Sequence, residues 1–331
     1  MTMVSHIPQD LLEEILSRLP IKSLGAVRST CKQWNDLSKN QSFTKIHRDT
    51  TAKAMMFIMM NKSRTCLMSV NLNGSHNHKD LVDPSIEQIG KLYHVEILNV
   101  FHCDGLLLCS TRDKRLVVWN PYLGKTRWIK ARNSSVDRID RYGIGHDNNK
   151  NHKILRFLYR YEQSVGNHRI CECEIYDLRL NSWRVLHVTL HSYPYFSPGV
   201  GVSLKGNIYF HASKRLERES RQVLVSFDCT SEGFGPCLHL PFQTFLKDDV
   251  TLSTVREEQL AVLLNHKGKM EIWVTTKIET NGVSWCNFLK VDKIPFFSES
   301  SMFLSGSFFL DEEKKVALIC YTGVYKETNK A

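Results

Sequence analysis

Three runs in this chain close a β-rich segment on an Asn or Asp, cross a polar turn and resume on an aromatic-led strand. They are RLVVWNPYLGKTRWI (115–129), CEIYDLRLNSWRVL (173–186) and VLVSFDCTSEGFGPCLHLP (223–241). Their anchors Asn120, Asp177 and Asp228 are 57 and 51 residues apart. A fourth run, MEIWVTTKIETNGVSWCNFLKV (270–291), follows the same strand–turn–strand plan without the anchor. Each unit is preceded by a further turn-separated pair of apolar runs, as in FHCDGLLLCST and GVSLKGNIYFHA. Several strands recurring at about fifty residues predict the blades of a propeller, built by radial repetition. A β-sandwich with coincidental turn spacing is the competing reading.

The first fifty residues follow another plan. In IPQDLLEEILSRLPIKSLGAVRSTCKQWNDL (7–37), apolar residues at 11, 12, 15, 16 and 19 have helical spacing. Pro8 suits a first helical turn, and Asp10, Glu13 and Glu14 lie toward the positive end of the helix dipole. Pro20 stops this helix and can open the next, along which Ile21, Leu24 and Val27 recur. TCKQ then reads as a capping box with Thr30 as N-cap and Gln33 at N3, starting a third helix that carries Cys31, Trp34 and Leu37 on one face. Three helices in so short a stretch fall below the ~40 residues at which isolated domains fold unaided. The surplus apolar side chains either dock on the rest of the chain or belong to an interface with another protein.

Composition narrows the remaining choices. The net charge of +10 comes from 44 basic and 34 acidic residues, and the basic ones are dispersed. A nucleic-acid footprint needs them clustered, so a nucleic-acid partner is not expected. The 10 cysteines stand without any Cys-x-x-Cys pair, which argues against a zinc site and for a reducing compartment. The start lacks a secretory pattern, and AMMFIMM (54–60) is far short of the ~20 residues that span a bilayer. The expected location is nucleus and/or cytoplasm, not secreted, with no membrane partner.

Catalytic motifs are missing: there is no Gly-x-Ser-x-Gly elbow, phosphate loop or His-Glu-x-x-His helix. His146 and His152 flank the polar DNNKN between strands without a third ligand at useful spacing, and HSYPYF (191–196) reads as a surface loop. GVGVSLKG (199–206) reads as a strand approach and turn. Trp119, Trp128, Trp183, Trp273 and Trp285 recur at equivalent strand positions and are expected mostly in blade cores. No catalytic residue, metal or cofactor is expected.

The opening stretch resembles an F-box, with the Pro-x-Asp-Leu-Leu opening, Leu-Pro at 19–20 and Val-Arg…Cys-Lys-x-Trp ending in order. The resemblance implies binding to a Skp-family adaptor and, through it, to the cullin and RING subunits of a ubiquitin ligase. Pro8, Leu11, Leu12, Ile15, Leu19, Pro20, Leu24, Val27, Cys31 and Trp34 occupy the signature positions and are the implied adaptor-binding set, some of them as internal core. Blocks such as CDGLLLC, LVVWNPYLGKTRWI, YGIGHD, EIYDLRLNSWRVL and GSFFLDEEKKVAL resemble the kelch-related F-box-associated interaction domain of plants. The expected architecture is α+β and multidomain: a three-helix F-box over 4–49, then an all-β, propeller-like domain over 50–331. In that family further strands usually follow the DEEKKVAL block, so a shortened tail and incomplete closure are expected.

The implied role is a non-catalytic substrate receptor that captures an unknown target protein through loops, with 131–152, 160–170, 187–199 and 213–221 as candidates. A non-degradative or target-less F-box binding protein is the first alternative, and a basic nucleic-acid-binding protein the second.

Overall fold

The computed structural model describes residues 8–17, 19, 21–38, 40, 43, 55–61, 64–71, 76–77, 81–82, 85–92, 96–120, 123–130, 138–162, 167–187, 195–196, 201–215, 220–243, 248–266, 269–292, 304–313 and 315–322. Three helices come first: α1 (Gln9–Ser17), α2 (Ile21–Arg28) and α3 (Lys32–Leu37). The first two fall where the apolar spacing places them. The third starts one residue later than the capping-box reading requires. Cys31 has extended backbone and is the N-cap, its Sγ accepting the Trp34 amide at 3.4 Å. Thr30 instead turns its hydroxyl back to the Val27 carbonyl at 2.6 Å, closing α2 rather than opening α3.

Among the described residues after position 54, every regular element is a β-strand. Strands β1 (Met55–Asn61), β2 (Arg64–Asn71), β3 (His76–Asn77), β4 (Leu81–Val82) and β5 (Ser85–Leu92) form the sheet β1-β2-β5 and the pair β3-β4. Then β6 (Ile97–Cys103), β7 (Leu106–Thr111), β8 (Leu116–Asn120) and β9 (Lys125–Ile129) make a four-stranded meander. A second meander is β10 (Arg138–His146), β11 (His152–Glu162), β12 (Asn167–Asp177) and β13 (Ser182–Leu186). A third, five-stranded sheet has β14 (Tyr195–Phe196), β15 (Val202–Leu204), β16 (Asn207–Arg215), β17 (Ser220–Asp228) and β18 (Gly233–His239). The fourth contains β19 (Asp249–Val255), β20 (Gln259–His266), β21 (Lys269–Glu279) and β22 (Gly282–Val291). A final pair joins β23 (Leu304–Asp311) to β24 (Val316–Thr322). The expected class therefore holds: a helical start, then an all-β domain of four propeller-type blades.

The recurring Asx residues now have a cause. Each ends the penultimate strand of its blade and folds its side chain over the following turn. Asn120 accepts the Leu123 amide at 2.9 Å, and Asp177 accepts those of Arg179 and Leu180 at 2.8 and 2.9 Å. Asp228 accepts the Thr230 amide at 2.7 Å and the Ser231 hydroxyl at 2.9 Å. Short polar side chains of this kind satisfy turn amides that no ladder reaches.

The chain divides into two compact units, Met1–Val100 with Gly105–Lys130, and Phe101–Asp104 with Ala131–Ala331. In the first, the helices enclose Leu12, Leu16, Leu24, Leu37 and Phe43. A separate cluster gathers Ile97, Leu107, Cys109, Val117 and Trp119. In the second unit, blades stack face to face, with β10 on β15 and β16, these on β19, and β19 on β23. The third and fourth blades each supply one face to each of two cores. Leu155, Phe157 and Ile175 meet Ile208, Phe210 and Val225. Leu224 and Leu238, on the opposite face of that third blade, meet Leu260 and Val262. Ala261 and Leu263 then face Phe308. Burial on both faces explains why these strands read as continuous apolar runs rather than alternating ones. The stacking is tight at β10: a Cβ on Gly143 would lie 2.7 Å from an Ile208 methyl, and one on Gly145 2.3 Å from the Gly206 carbonyl.

Of the recurring tryptophans, Trp119 is core in the Ile97–Leu107 cluster, and Trp273 and Trp285 are half-buried against the third-to-fourth blade cluster. Trp183 is half-buried, with the Arg156 guanidinium 6.0 Å from its ring centroid. Trp128 departs from the expectation. It is 44% exposed at the outer strand, with Arg115 stacked 4.4 Å above its ring.

Candidate functional site

On α1 the apolar residues split into two stripes of i, i+4 pairs. Leu12 and Leu16 are 2% and 1% exposed and form the floor of the helical core. Leu11 and Ile15, each one position earlier, are 53% and 46% exposed. One position is about 100° of helix rotation, so the second stripe runs beside the first, just outside the enclosed core. Covering the rest of two such side chains is worth about 1 kcal/mol each by area.

The structure thus sorts the ten signature residues. Leu12 and Leu24 are buried, while Leu19, Val27 and Trp34 are partly buried against the same cluster. Pro8, Leu11, Ile15 and Cys31 are exposed. Pro20 lies outside the described residues. Around the exposed stripe, Asp10 and Glu14 also face solvent, so an apolar strip is bordered by acids.

The proposed capture loops contract. Within 131–152, residues 138–146 are β10 and 147–151 a tight turn. That turn is closed by the Asp147 carboxylate, which accepts the amides of Asn149 and Asn151, both at 2.9 Å. Parts of 160–170 and 213–221 are the ends of long strands that pair across a hairpin, Arg160 with Arg169 and Lys214 with Arg221. The remainder of those loops, and all of 187–199 except His187 and β14, lie outside the described residues. Long apolar ladders extend the hairpins further than their polar sequences suggest.

The β domain buries charge where register pairs it. Arg156 is 1% exposed, with Nη1 3.0 Å from Glu174 Oε2 and Nη2 2.7 Å from Asp140 Oδ2. Tyr142, Arg156 and Glu174 are direct cross-strand partners on β10, β11 and β12. Lys153 reaches the Cys229 carbonyl and Glu232 Oε1, both at 2.8 Å, and Arg184 pairs with the other oxygen of Glu232. Neither cluster is visible as a motif, because its ion-paired residues are 16 to 79 positions apart in sequence.

His146 and His152 are cross-strand partners with ring centroids 5.7 Å apart, edge to face. Burial pushes His152 down to about 4, while the Asp104 carboxylate raises His146 above its usual range. Among the described residues, no three His, Cys, Asp or Glu side chains are placed to hold a metal ion. Burial pushes the Cys103 and Cys109 thiols up to about 12, which favours their neutral form over the nucleophilic thiolate. No described helix is long and apolar enough to cross a membrane.

Comparison with known families and proteins accords with this geometry. Residues 4–46 match the F-box domain model, and residues 56–331 the F-box associated beta propeller domain model. The F-box protein At5g51000 of Arabidopsis thaliana is 51% identical over 336 residues, covering 96% of this chain and 84% of that protein. The F-box/kelch-repeat protein At3g13680 of Arabidopsis thaliana is 47% identical over 342 residues, covering 99% and 84%. Among solved structures, the WD40 domain from Toxoplasma gondii coronin aligns at 10% identity over 83% of this chain and 67% of that one, with a TM-score of 0.40, a likeness too slight to carry any argument.

Proposed function

The chain belongs to the F-box proteins that carry an F-box associated β-propeller domain, and on that premise we propose that it is a substrate-receptor subunit of a Skp–cullin–F-box ubiquitin ligase. The observation that carries the reading is the Leu11–Ile15 stripe, apolar, solvent-facing and adjacent to a core that is already filled. A Skp-family adaptor covers that stripe, and cullin and RING subunits join through the adaptor. The β domain holds a target protein, and the gain is one of effective concentration near the ubiquitin-charged enzyme. No residue of this chain handles ubiquitin chemistry in this reading. Its place of action is the nucleus and/or cytoplasm.

The test is co-purification of the full chain with a Skp-family adaptor, comparing wild type with Leu11→Asp/Ile15→Asp. Both positions are solvent-facing in the free chain, so the variant keeps its fold. Burying two unpaired carboxylates in an apolar interface costs several kcal/mol, enough to abolish the complex. Wild type that stays folded and fails to bind overturns the proposal. A variant that still binds moves the interface off this stripe. The degradative part is tested separately: the half-life of co-captured proteins must lengthen in cells carrying the double variant.

A further inference from the structure

Asp104 follows β6 at the head of a turn, with φ of 48°. Its Oδ2 lies 3.1 Å from His146 Nε2 and 3.2 Å from Lys150 Nζ. The last two atoms are 3.0 Å apart, so three polar atoms form a near-equilateral triangle. The second ring nitrogen fixes what the triangle can do. His146 Nδ1 lies 2.8 Å from the Asp147 backbone carbonyl, and a carbonyl can only accept, so Nδ1 carries a hydrogen. In the neutral ring Nε2 is then a bare acceptor, and it is the Lys150 ammonium that donates to it. In the protonated ring Nε2 also carries a hydrogen, directed at Asp104, and no lone pair remains for Lys150. One nitrogen cannot serve both partners at once.

We propose that Asp104, His146 and Lys150 form a proton-operated latch on the β10–β11 turn: neutral His146 accepts from Lys150 at Nε2, and protonated His146 donates from Nε2 to Asp104 and gives up its contact with Lys150, which is then held only by its ion pair to Asp104. The imidazole is 6% exposed whereas Lys150 is 54% exposed at the tip of its turn, so the sensor is sheltered and the moving part faces solvent. The surrounding groups do not compete for the proton. Cys103, at the end of β6, is held neutral by burial. From β11, His152 stays neutral through the range in which His146 titrates. Asp147 faces the ring through its backbone carbonyl, its carboxylate being engaged by the turn amides and lying 3.8 Å from Lys153. The β15–β16 turn contributes the Gly206 carbonyl, which accepts the His146 amide at 3.0 Å, with exposed Lys205 beside it. Hydrogen bonding to Asp104 raises His146, and the same bond lowers Asp104, both favouring the charged pair. The latch therefore turns over above the ordinary imidazole value, and on its acid side Lys150 is held by Asp104 alone.

The full chain labelled with isotopic histidine tests this by NMR titration, with the His146 signal assigned by its loss in His146→Gln. Lys150→Met removes the donor that favours the neutral ring and should raise the His146 midpoint by roughly half a unit or more. Asp104→Asn should lower it by a similar amount or more. A Lys150→Met midpoint that is unchanged or lower overturns the latch, as does an Asp104→Asn midpoint that is unchanged or higher. Loss of the His146–Lys150 contact is read by lysine acylation followed by mass spectrometry. Labelling of Lys150 relative to Lys205 should rise as pH falls through the His146 midpoint, and a flat ratio overturns that step.

Discussion

The helical start and the β domain dispose of apolar side chains in opposite ways. Among the described residues of the helical start, five fill its interior, and Leu11 and Ile15 of α1 are left outside. In the second unit, the sheets stack so that both faces of β17 and β20 are covered, and even Arg156 is enclosed because two carboxylates meet it. The difference is one of layers. A three-helix segment has a single inside, whereas a sheet between two sheets has two. Among the described residues the β domain exposes large apolar side chains on separate strands and turns, as at Leu98, Trp128 and Leu180, whereas Leu11 and Ile15 lie one turn apart on a single helix, and that stripe is where a partner gains most by binding.

The largest expected effect tests how far the β domain depends on internal pairing. Arg156→Met strands Glu174 and Asp140 without their cation, and loss of one member of a buried charged cluster costs about 3–5 kcal/mol. Chemical denaturation should show that loss in the full chain, with the Leu11–Ile15 stripe untouched. A loss under about 1 kcal/mol would mean that the cluster is solvated and the β interior less complete than its packing indicates.

Next comes a contrast within a single helix. Leu16→Ala empties a filled core position and should cost about 2–5 kcal/mol of helical-segment stability. Ile15→Ala, one residue away, should stay within about 0.5 kcal/mol in the free chain, since it removes surface rather than core. Hydrogen exchange of the α1 amides reads both. Equal losses would break the comparison, because they would mean that the chain itself covers the stripe.

Much of this was legible beforehand, and the misses share a physical cause. Helical spacing located α1 and α2, and the Asx recurrence located one hairpin in each of three blades, because both signals depend on contacts within a few residues. Which signature residues point inward was not legible: Leu11 and Leu12 have the same chemistry, and only the placement of α2 and α3 separates them. The capping assignment failed by one residue because Thr30 and Cys31 can each cap, and α2 takes the threonine hydroxyl. Charged ladders such as Tyr142–Arg156–Glu174 depend on register across hairpins, and the polar hairpin ends at 160–170 were read as loops for the same reason.

Acid sharpens the comparison in a third way. Burial lowers both His152 and His211 from 6.5 to about 4. An unfolded chain takes up these protons near 6.5 and the folded one only near 4, so their contribution is present above 6.5 and lost as pH falls toward 4. His146 works against them: raised in the folded state, it contributes fully below 6.5 and loses that contribution as pH rises through its folded value. Two groups outweigh one, so the β domain should weaken between pH 6.5 and 4, by about 1–2 kcal/mol after solvent screening. His211→Leu should flatten the dependence of the denaturation midpoint on pH. An unchanged slope would place His211 in contact with solvent.

The smallest effects belong to the turns that repeat along the sequence. Asp177→Ala and Asp228→Ala each leave amides at a hairpin without their acceptor and should cost about 1 kcal/mol. The two turns share no partner, so the double variant should lose the sum. In the fourth blade Glu279 pairs directly with Gly282 across Thr280 and Asn281, a two-residue connection that leaves no amides for a strand-end Asx to collect. An anchor is needed where the turn is long, and the fourth run dispenses with it because its turn is short. Lengthening that connection by two residues should therefore destabilise the fourth blade unless an Asp replaces Glu279. If lengthening costs nothing, the repeated Asx residues are a legacy of repetition rather than supports for the blades.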